Sequence, residues 1–281
     1  MNAPVKMQRA EGEGRIAVSL KGGRTRLDNL FQSGAAKIRL PQVHDGNHAE
    51  AVLINVSGGL TGGDRFSWAA NLAADTCLCV TTQACEKIYR ADIGHAEIAT
   101  QLSIGAGAAL SWLPQEAILF ERSAVRRLIE ADIVPTGRLL VLESAIIGRL
   151  AYGETVTQTL LQDRWRIHVD GKLVHAEESK ISGNPLNMCR GAARLNGMTA
   201  FASVVLIAPD AGRFLQLLRA LPKIEGADFG FSVLPAFQSA KLVARFVAID
   251  GLTLRRALIP AIELLNARAM NMGGLPKVWR L

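Results

Sequence analysis

The stretch RWRIHVDG at residues 164–171 shows the pattern that decides the fold of this chain. Apolar and polar side chains alternate from Trp165 to Val169, which is the period of a strand with one buried face. Asp170 and Gly171 follow directly, and this pair favours the type I′ turn of a β-hairpin. The stretch therefore predicts a strand that ends in a hairpin turn.

The same alternation recurs along most of the chain. It is found in RIAVSL (15–20), AEAVLINV (49–56), TCLCVTT (76–82), HAEIATQLSI (95–104), FASVVLIA (201–208) and KLVARFVAID (241–250). Glycine, asparagine and aspartate separate these runs at distances typical of hairpins. The sequence therefore predicts a mainly-β protein.

Two stretches have helical spacing, and both lie towards the C-terminus. Residues 211–221 follow Asp210, a candidate N-cap, and stop before Pro222. Residues 253–272 repeat apolar positions at helical intervals, and Pro260 is expected to kink this helix or to open its second half. About two α-helices are therefore expected near the C-terminus.

The composition is that of a folded protein. Hydrophobic residues make up 49% and charged residues 20% of 281 residues, which excludes a disordered chain. No linker or low-complexity tract interrupts the sequence, so we expect a single domain over residues 1–281. The net charge is +7 and aromatic residues make up 5%, but the basic residues are scattered. Nucleic-acid binders cluster basic residues and add stacking aromatics, so no nucleic-acid partner is expected.

The sequence also indicates a compartment. The N-terminus is polar and lacks the apolar core of a signal peptide. The longest uncharged stretch, residues 98–115, is broken by Gly105, Gly107 and Pro114, so it is not expected to span a membrane. Four cysteines without a secretory signal point to a reducing environment. We therefore expect a cytoplasmic protein that does not bind membranes.

The segment NVSGGLTGGDRF at residues 55–66 tests for nucleotide binding. A P-loop needs a lysine and then a hydroxyl residue after its second glycine, and this chain has Asp64 and Arg65 there. A carboxylate beside a nest of backbone N–H groups repels a phosphate. The glycines instead suit tight backbone geometry or the close approach of another segment.

Five segments, read in order, resemble those of one family, the urease accessory protein UreD, called UreH in some organisms. They are GGLTGGD (58–64), TTQACEKIYR (81–90), LSWLPQEAILF (110–120), GRLAYGE (148–154) and LPKVWRL (275–281). Their order and spacing cover nearly the full chain, so the resemblance extends beyond a single motif.

The resemblance implies a non-enzymatic role in urease maturation. Members of the family bind the urease apoprotein and the accessory protein UreF, which in turn holds UreG, a GTPase that carries nickel. The family fold is an extended stack of antiparallel and mixed strands in packed sheets with two helices. The complex is thought to conduct Ni²⁺ through an internal channel. The resemblance thus implies these partners, transient Ni²⁺ and no tightly bound cofactor.

Glu143 is the most informative residue of the candidate site. It lies in LLVLESAIIG at residues 139–148, an apolar run that is expected to be buried. A buried carboxylate needs a partner, so one interpretation is a salt bridge to an arginine such as Arg149 or Arg138. The other interpretation is a hard oxygen ligand in a water-filled passage for a divalent cation.

Three further acids have the same two interpretations. Glu154 lies in GRLAYGE, Glu177 is expected at a strand end, and Asp64 either caps the glycine-rich turn or lies at a channel mouth. Scattered carboxylates suit a conducting path, because a tight site would trap the ion. Together with the resemblance, they predict a transient Ni²⁺ path formed by Asp64, Glu143, Glu154 and Glu177.

The cysteines and histidines give weaker signals. Cys77 and Cys79 share one face of a strand and Cys85 follows closely, so a metal site is conceivable, but small buried hydrophobic side chains are the favoured interpretation. His44 and His48 lie in a polar loop and are expected at the surface.

The C-terminal segment 253–281 is predicted to bind UreF. It combines an amphipathic helix with an apolar tail, and its expected contact residues are Met270, Met272 and Trp279. Tyr89 and Arg90 form a second polar cluster that either faces a partner or ends a hairpin.

Three functions are compatible with these observations. The leading hypothesis is a scaffold that also conducts nickel. The second is a scaffold whose acids are purely structural. The third is a small-molecule hydrolase with Glu143 or Glu154 as base, although no catalytic motif supports it.

Overall fold

Two packed β-sheets form the body of the protein. The computed structural model describes residues 9–43, 46–149 and 152–280, so His44 lies outside the described residues. The strands of the first sheet are β1 (Glu11–Lys21), β2 (Arg24–Gly34), β5 (Arg65–Leu72), β8 (Ala96–Ile104), β11 (Ser123–Ile133), β13 (Thr159–Val169) and β14 (Lys172–Gly183). They lie in the order β14-β13-β11-β8-β5-β1-β2.

The second sheet carries the remaining strands. They are β3 (Ala36–Arg39), β4 (Ala49–Asn55), β6 (Cys77–Thr82), β7 (Glu86–Ile88), β9 (Ala109–Leu113), β10 (Ala117–Leu119), β12 (Arg138–Ile147), β15 (Ala200–Ala208), β16 (Ala227–Ala236) and β17 (Ser239–Ala248). The main path has the order β16-β17-β15-β12-β9-β6-β4-β3, and β10 joins β12 to β7. The expected fold class, mainly β with mixed strands in packed sheets, is confirmed.

The chain passes back and forth between the two sheets. From β4 to β13 it alternates between them, so that neighbours within each sheet run parallel in this central part. Antiparallel pairs flank it, among them the hairpin β13–β14 that the sequence predicted. Its turn residues Asp170 and Gly171 have φ of 49° and 71°, as a type I′ turn requires.

Alternation along each strand creates two cores. The inner face of both sheets forms the first core, with Ile129, Leu139 and Trp165 among its buried members. The outer face of the second sheet forms the other core, against the helices and the C-terminal tail. The second sheet is therefore covered on both faces, as is usual for parallel strands.

The two predicted helical stretches are confirmed. The first consists of a 3-10 turn over Ala211–Phe214 and α2 over Leu215–Arg219, after the short α1 (Pro185–Met188). Asp210 does not cap it as expected, because its carboxylate pairs with Arg138 and Arg213 instead. The second is α3 (Gly251–Arg268), which continues through Pro260. Among the described residues, no helix is both long and apolar enough to cross a bilayer.

The tail after α3 folds back into the protein, so the expectation of an exposed aromatic contact at the C-terminus is wrong. Trp279 is completely buried, and its indole N–H donates to Leu113 O (3.1 Å) and Thr81 Oγ1 (3.2 Å). Met270 and Met272 are buried in the same core. These side chains fill the space beneath α3, because the outer face of the second sheet is apolar and needs cover.

We expect Trp279→Ala to destabilise the fold strongly. Removing a buried aromatic side chain costs about 3–5 kcal/mol, which lowers the melting temperature of a chain of this size by on the order of 10 °C. Thermal unfolding followed by circular dichroism checks this. Tyr152→Ala is the control, since Tyr152 is 81% exposed, and an equal shift in both variants would contradict a core role for Trp279.

Candidate functional site

A band of polar side chains crosses the first core between the two sheets. In the first sheet, Arg127, Asp163 and Ser179 are register partners on β11, β13 and β14. In the second sheet, Glu143, Ser203 and Arg245 are register partners on β12, β15 and β17. Side chains two residues apart share a face of a strand, and the odd-numbered neighbours of these residues belong to the inner core. We call these six residues and Glu177 the polar band.

Arg127 connects the two sheets. Its Nε and Nη2 donate to the two carboxylate oxygens of Asp163, and its Nη1 lies 2.5 Å from Glu143 Oε2. All three side chains are at least nine-tenths buried. Such a bidentate pair is the strongest form of charged hydrogen bond.

The predicted salt bridge of Glu143 is present, but its partner was wrong. Arg138 pairs with Asp210 and Arg149 pairs with Glu154, whereas Glu143 points between the sheets to Arg127. Burial raises the pKa of the Glu143 carboxyl above its ordinary value, and the Arg127 charge opposes this rise while the Asp163 charge adds to it.

Glu177 is the second acid of the band, and it lies in the middle of β14 rather than at a strand end as expected. Its carboxylate accepts hydrogen bonds from Arg245 (2.7 Å) and Ser203 (3.0 Å), and His175 Nε2 lies 3.3 Å away. Burial alone would raise the pKa of Glu177, but these partners outweigh burial and lower it. The carboxylate is therefore held in its charged form.

Ser203 lies between the two acids. It is the register partner of Glu143 on the neighbouring strand, and its hydroxyl donates to Glu177. One end of the band opens into a cavity of about 760 Å³ that is lined by Ser179, Ser203 and Arg245. The hydroxyl of Ser203 thus joins Glu177 to the cavity, and its strand position is next to that of Glu143.

Glu86 is a half-buried acid that the sequence did not assign to the candidate site. It shares a face of β7 with Ile88, a core residue, and it is in register with Ala117. Its carboxylate accepts from Asn55 Nδ2 at 3.1 Å and lines a cavity of about 250 Å³. Burial raises its pKa to about 7, and the bond from Asn55 opposes the rise. The sequence signal that could have found Glu86 is its spacing of two residues from the apolar Ile88, because residues two apart on a strand share a face.

The glycine-rich loop is built around Asp64. The carboxylate accepts backbone N–H bonds from Ala10 (2.9 Å) and Thr61 (2.8 Å), so the turn-capping interpretation describes its contacts. A Cβ on Gly59 would lie 2.4 Å from Tyr89 Cε2, and one on Gly62 would lie 2.2 Å from Ile93 O. These glycines therefore allow the close approach of the segment around Tyr89, as the sequence suggested.

Two other residues from the sequence also have partners outside the band. Glu154 receives bonds from the Arg149 side chain and from backbone N–H groups of Arg149 and Glu121. Arg90 pairs with Asp92 at the surface. The structure thus places Glu143 and Glu177 in the polar band, each with its own arginine, and leaves Asp64 and Glu154 in loops of their own.

The cysteines and His48 form no preassembled metal centre. In the part of the chain that the structure describes, no three His, Cys, Asp or Glu side chains are grouped to hold an ion. Cys79 and Cys189 are buried, and Cys85 donates to Glu116 Oε2 at 3.3 Å. His48 is buried, so its expected surface position was wrong.

The raised pKa of Glu86 predicts an unusual pH dependence. Below about pH 4.5 the carboxyl is protonated in both states, and as pH rises through about 7 the folded state loses the stability that this proton gave. When the pH is raised from 5 to 8, the free energy of unfolding of Glu86→Gln should therefore increase by on the order of 1–2 kcal/mol relative to that of the unmodified chain. Urea unfolding at both pH values measures this difference.

Glu154→Gln provides a control of opposite sign. The bonds from Arg149 lower the pKa of Glu154, so its contribution is present at neutral pH and is lost as pH falls through the folded-state pKa. At pH 7 the free energy of unfolding of Glu154→Gln should be lower than that of the unmodified chain. The difference between the two should become smaller as the pH is lowered. A pH-independent effect of Glu86→Gln would contradict the buried-acid interpretation.

Comparison with known proteins identifies the family. The model of the UreD urease accessory protein family matches residues 10–280. Proteins named urease accessory protein UreD are similar over nearly their whole length. One from Chelativorans sp. (strain BNC1) is 46% identical over 99% of this chain and 97% of its own. Another from Agrobacterium fabrum is 47% identical over 99% of this chain and 94% of its own. With a family match across both sheets and the C-terminal tail, this chain belongs to the UreD family of urease accessory proteins.

Proposed function

We propose that this chain is a cytoplasmic urease maturation factor that binds urease apoprotein and a UreF–UreG complex and passes Ni²⁺ to the urease active site. The observation that carries this proposal is the pair of inward-facing acids Glu143 and Glu177, with Ser203 in register with the first, bonded to the second and lining an open cavity. Nickel is here the cargo of the protein, and the chain itself catalyses no turnover.

The chemistry of the band suits a transported cation. Carboxylate and hydroxyl oxygens bind divalent ions through labile contacts, whereas a closed set of thiolates or imidazoles would retain them. The charged form of Glu177 is favoured by its partners, so this acid attracts a cation entering from the cavity. Glu86, beside the second cavity, extends the same inner surface towards the glycine-rich loop.

A purely structural scaffold is the alternative function, and one observation favours it. Glu143 and Glu177 are each bonded to an arginine, and Asp64 and Glu154 are satisfied by backbone N–H groups and Arg149. Acids whose hydrogen bonds are fulfilled in this way need no metal to justify their burial. In that case the metal would pass from UreG to urease without entering this chain.

Substitution of the band separates the two functions. We expect Glu143→Gln and Glu177→Gln to lower the nickel content and activity of urease roughly tenfold, the usual scale for loss of a carboxylate near a metal. Both variants should still co-purify with UreF, UreG and urease apoprotein. The measurements are co-expression, metal analysis of the purified urease and urease activity.

Glu130→Gln is the matched control, since Glu130 is exposed on the outer face of β11. Asp64→Ala is unsuitable, because it removes the acceptor of two backbone N–H bonds and disturbs the loop. Full urease activation by the Glu143 and Glu177 variants would overturn the proposal that this chain conducts Ni²⁺ and would leave the purely structural scaffold as its function. If the unmodified chain does not co-purify with UreF, UreG and urease apoprotein, both the conduction and the scaffold functions are overturned.

A further inference from the structure

The guanidinium of Arg127 occupies the place where a divalent cation would bind most tightly. It lies between the carboxylates of Asp163, on its own sheet, and Glu143, on the facing sheet. Two carboxylates with water can hold a divalent ion of the size of Mg²⁺ or Ni²⁺. In this protein both of them are bonded to the same arginine.

The surroundings would make such a site strong. Arg127, Glu143 and Asp163 are all less than a tenth exposed, and attraction between charges increases as water is excluded. An ion held there by two desolvated carboxylates would leave slowly. A path through the band needs the opposite property, because conduction requires that each site releases the ion it binds.

We propose that Arg127 is a resident counter-cation that prevents the polar band from trapping the metal. Its three N–H groups occupy both oxygens of Asp163 and one oxygen of Glu143, so that the two carboxylates cannot close around an ion together. Arg127 is thus a positioning residue, since it acts by limiting what Glu143 and Asp163 bind. The role of Arg127 in keeping a path open rests on the proposed conduction of Ni²⁺. The effect of Arg127 on the metal affinity of the two carboxylates does not depend on that proposal.

The other arginine of the band lacks this arrangement. Arg245 also pairs with a carboxylate, Glu177, at 2.7 Å, but this acid has further contacts with His175 and Ser203. Arg245 is about half exposed, whereas Arg127 is not. Its removal would free no pair of facing carboxylates, but it would unpair Glu177, so the matched control is Arg126, which is exposed on the outer face of β11.

The test is binding of Ni²⁺, added as the chloride, to the full-length chain without partners. Equilibrium dialysis should show that Arg127→Met binds about one ion per chain, at least roughly tenfold more tightly than the unmodified chain. Arg126→Met, on the exposed outer face of the same strand, should bind like the unmodified chain. Adding Asp163→Asn or Glu143→Gln to Arg127→Met should abolish the gain, and Arg127→Lys, which keeps the charge, should largely lack it.

Failure to fold is also informative. If Arg127→Met does not fold alone, the ion should take the place of the missing charge, so refolding with Ni²⁺ should restore the circular dichroism spectrum. A folded variant without tighter binding, or an unfolded one that Ni²⁺ does not rescue, would overturn the inference. Tighter binding by Arg127→Met together with full urease activation by Glu143→Gln would retain this site and reject conduction.

Discussion

The structure depends on one constraint, the repeated passage of the chain between two sheets that bury each other's inner faces. Because side chains alternate along a strand, inward positions in the central strands are enclosed by the facing sheet. A polar residue at such a position must find its partner across a strand boundary or across the gap between the sheets. The contacts of Arg127 with Asp163 and Glu143 are the clearest result, since they connect neighbouring strands and facing sheets through one side chain.

The acids of the inner layer differ in protonation because their partners differ. Glu177 is surrounded by donors and keeps a lowered pKa, whereas burial raises the pKa of Glu86, which has a single neutral donor, Asn55. Glu143 is intermediate in its surroundings, with a cation that it shares with a second acid. The cavity lined by Ser203 and Arg245 therefore lies beside the partners of an acid whose pKa is lowered, and the cavity beside Asn55 opens onto an acid whose pKa burial raises to about 7.

Sequence reasoning predicted the elements better than their partners. Alternation in RWRIHVDG gave both β13 and its turn, because period and turn chemistry are local properties. The same alternation is compatible with parallel and antiparallel pairing, so the parallel centre of both sheets was not predictable from it. The partner of Glu143 was misassigned for a related reason, since Arg149 is near in sequence but Arg127 is near in space. Trp279 was misplaced because an apolar tail has the same composition whether it covers its own sheet or a partner.

The shared arginine also restricts how this layer can vary between relatives. Replacing Glu143, Asp163 or Arg127 one at a time leaves a desolvated charge with fewer partners, whereas a joint replacement by apolar residues does not. The effects of single and combined changes are therefore strongly non-additive. In energetic terms these three positions form one unit, since the loss of any one of them is offset only when its partners change with it.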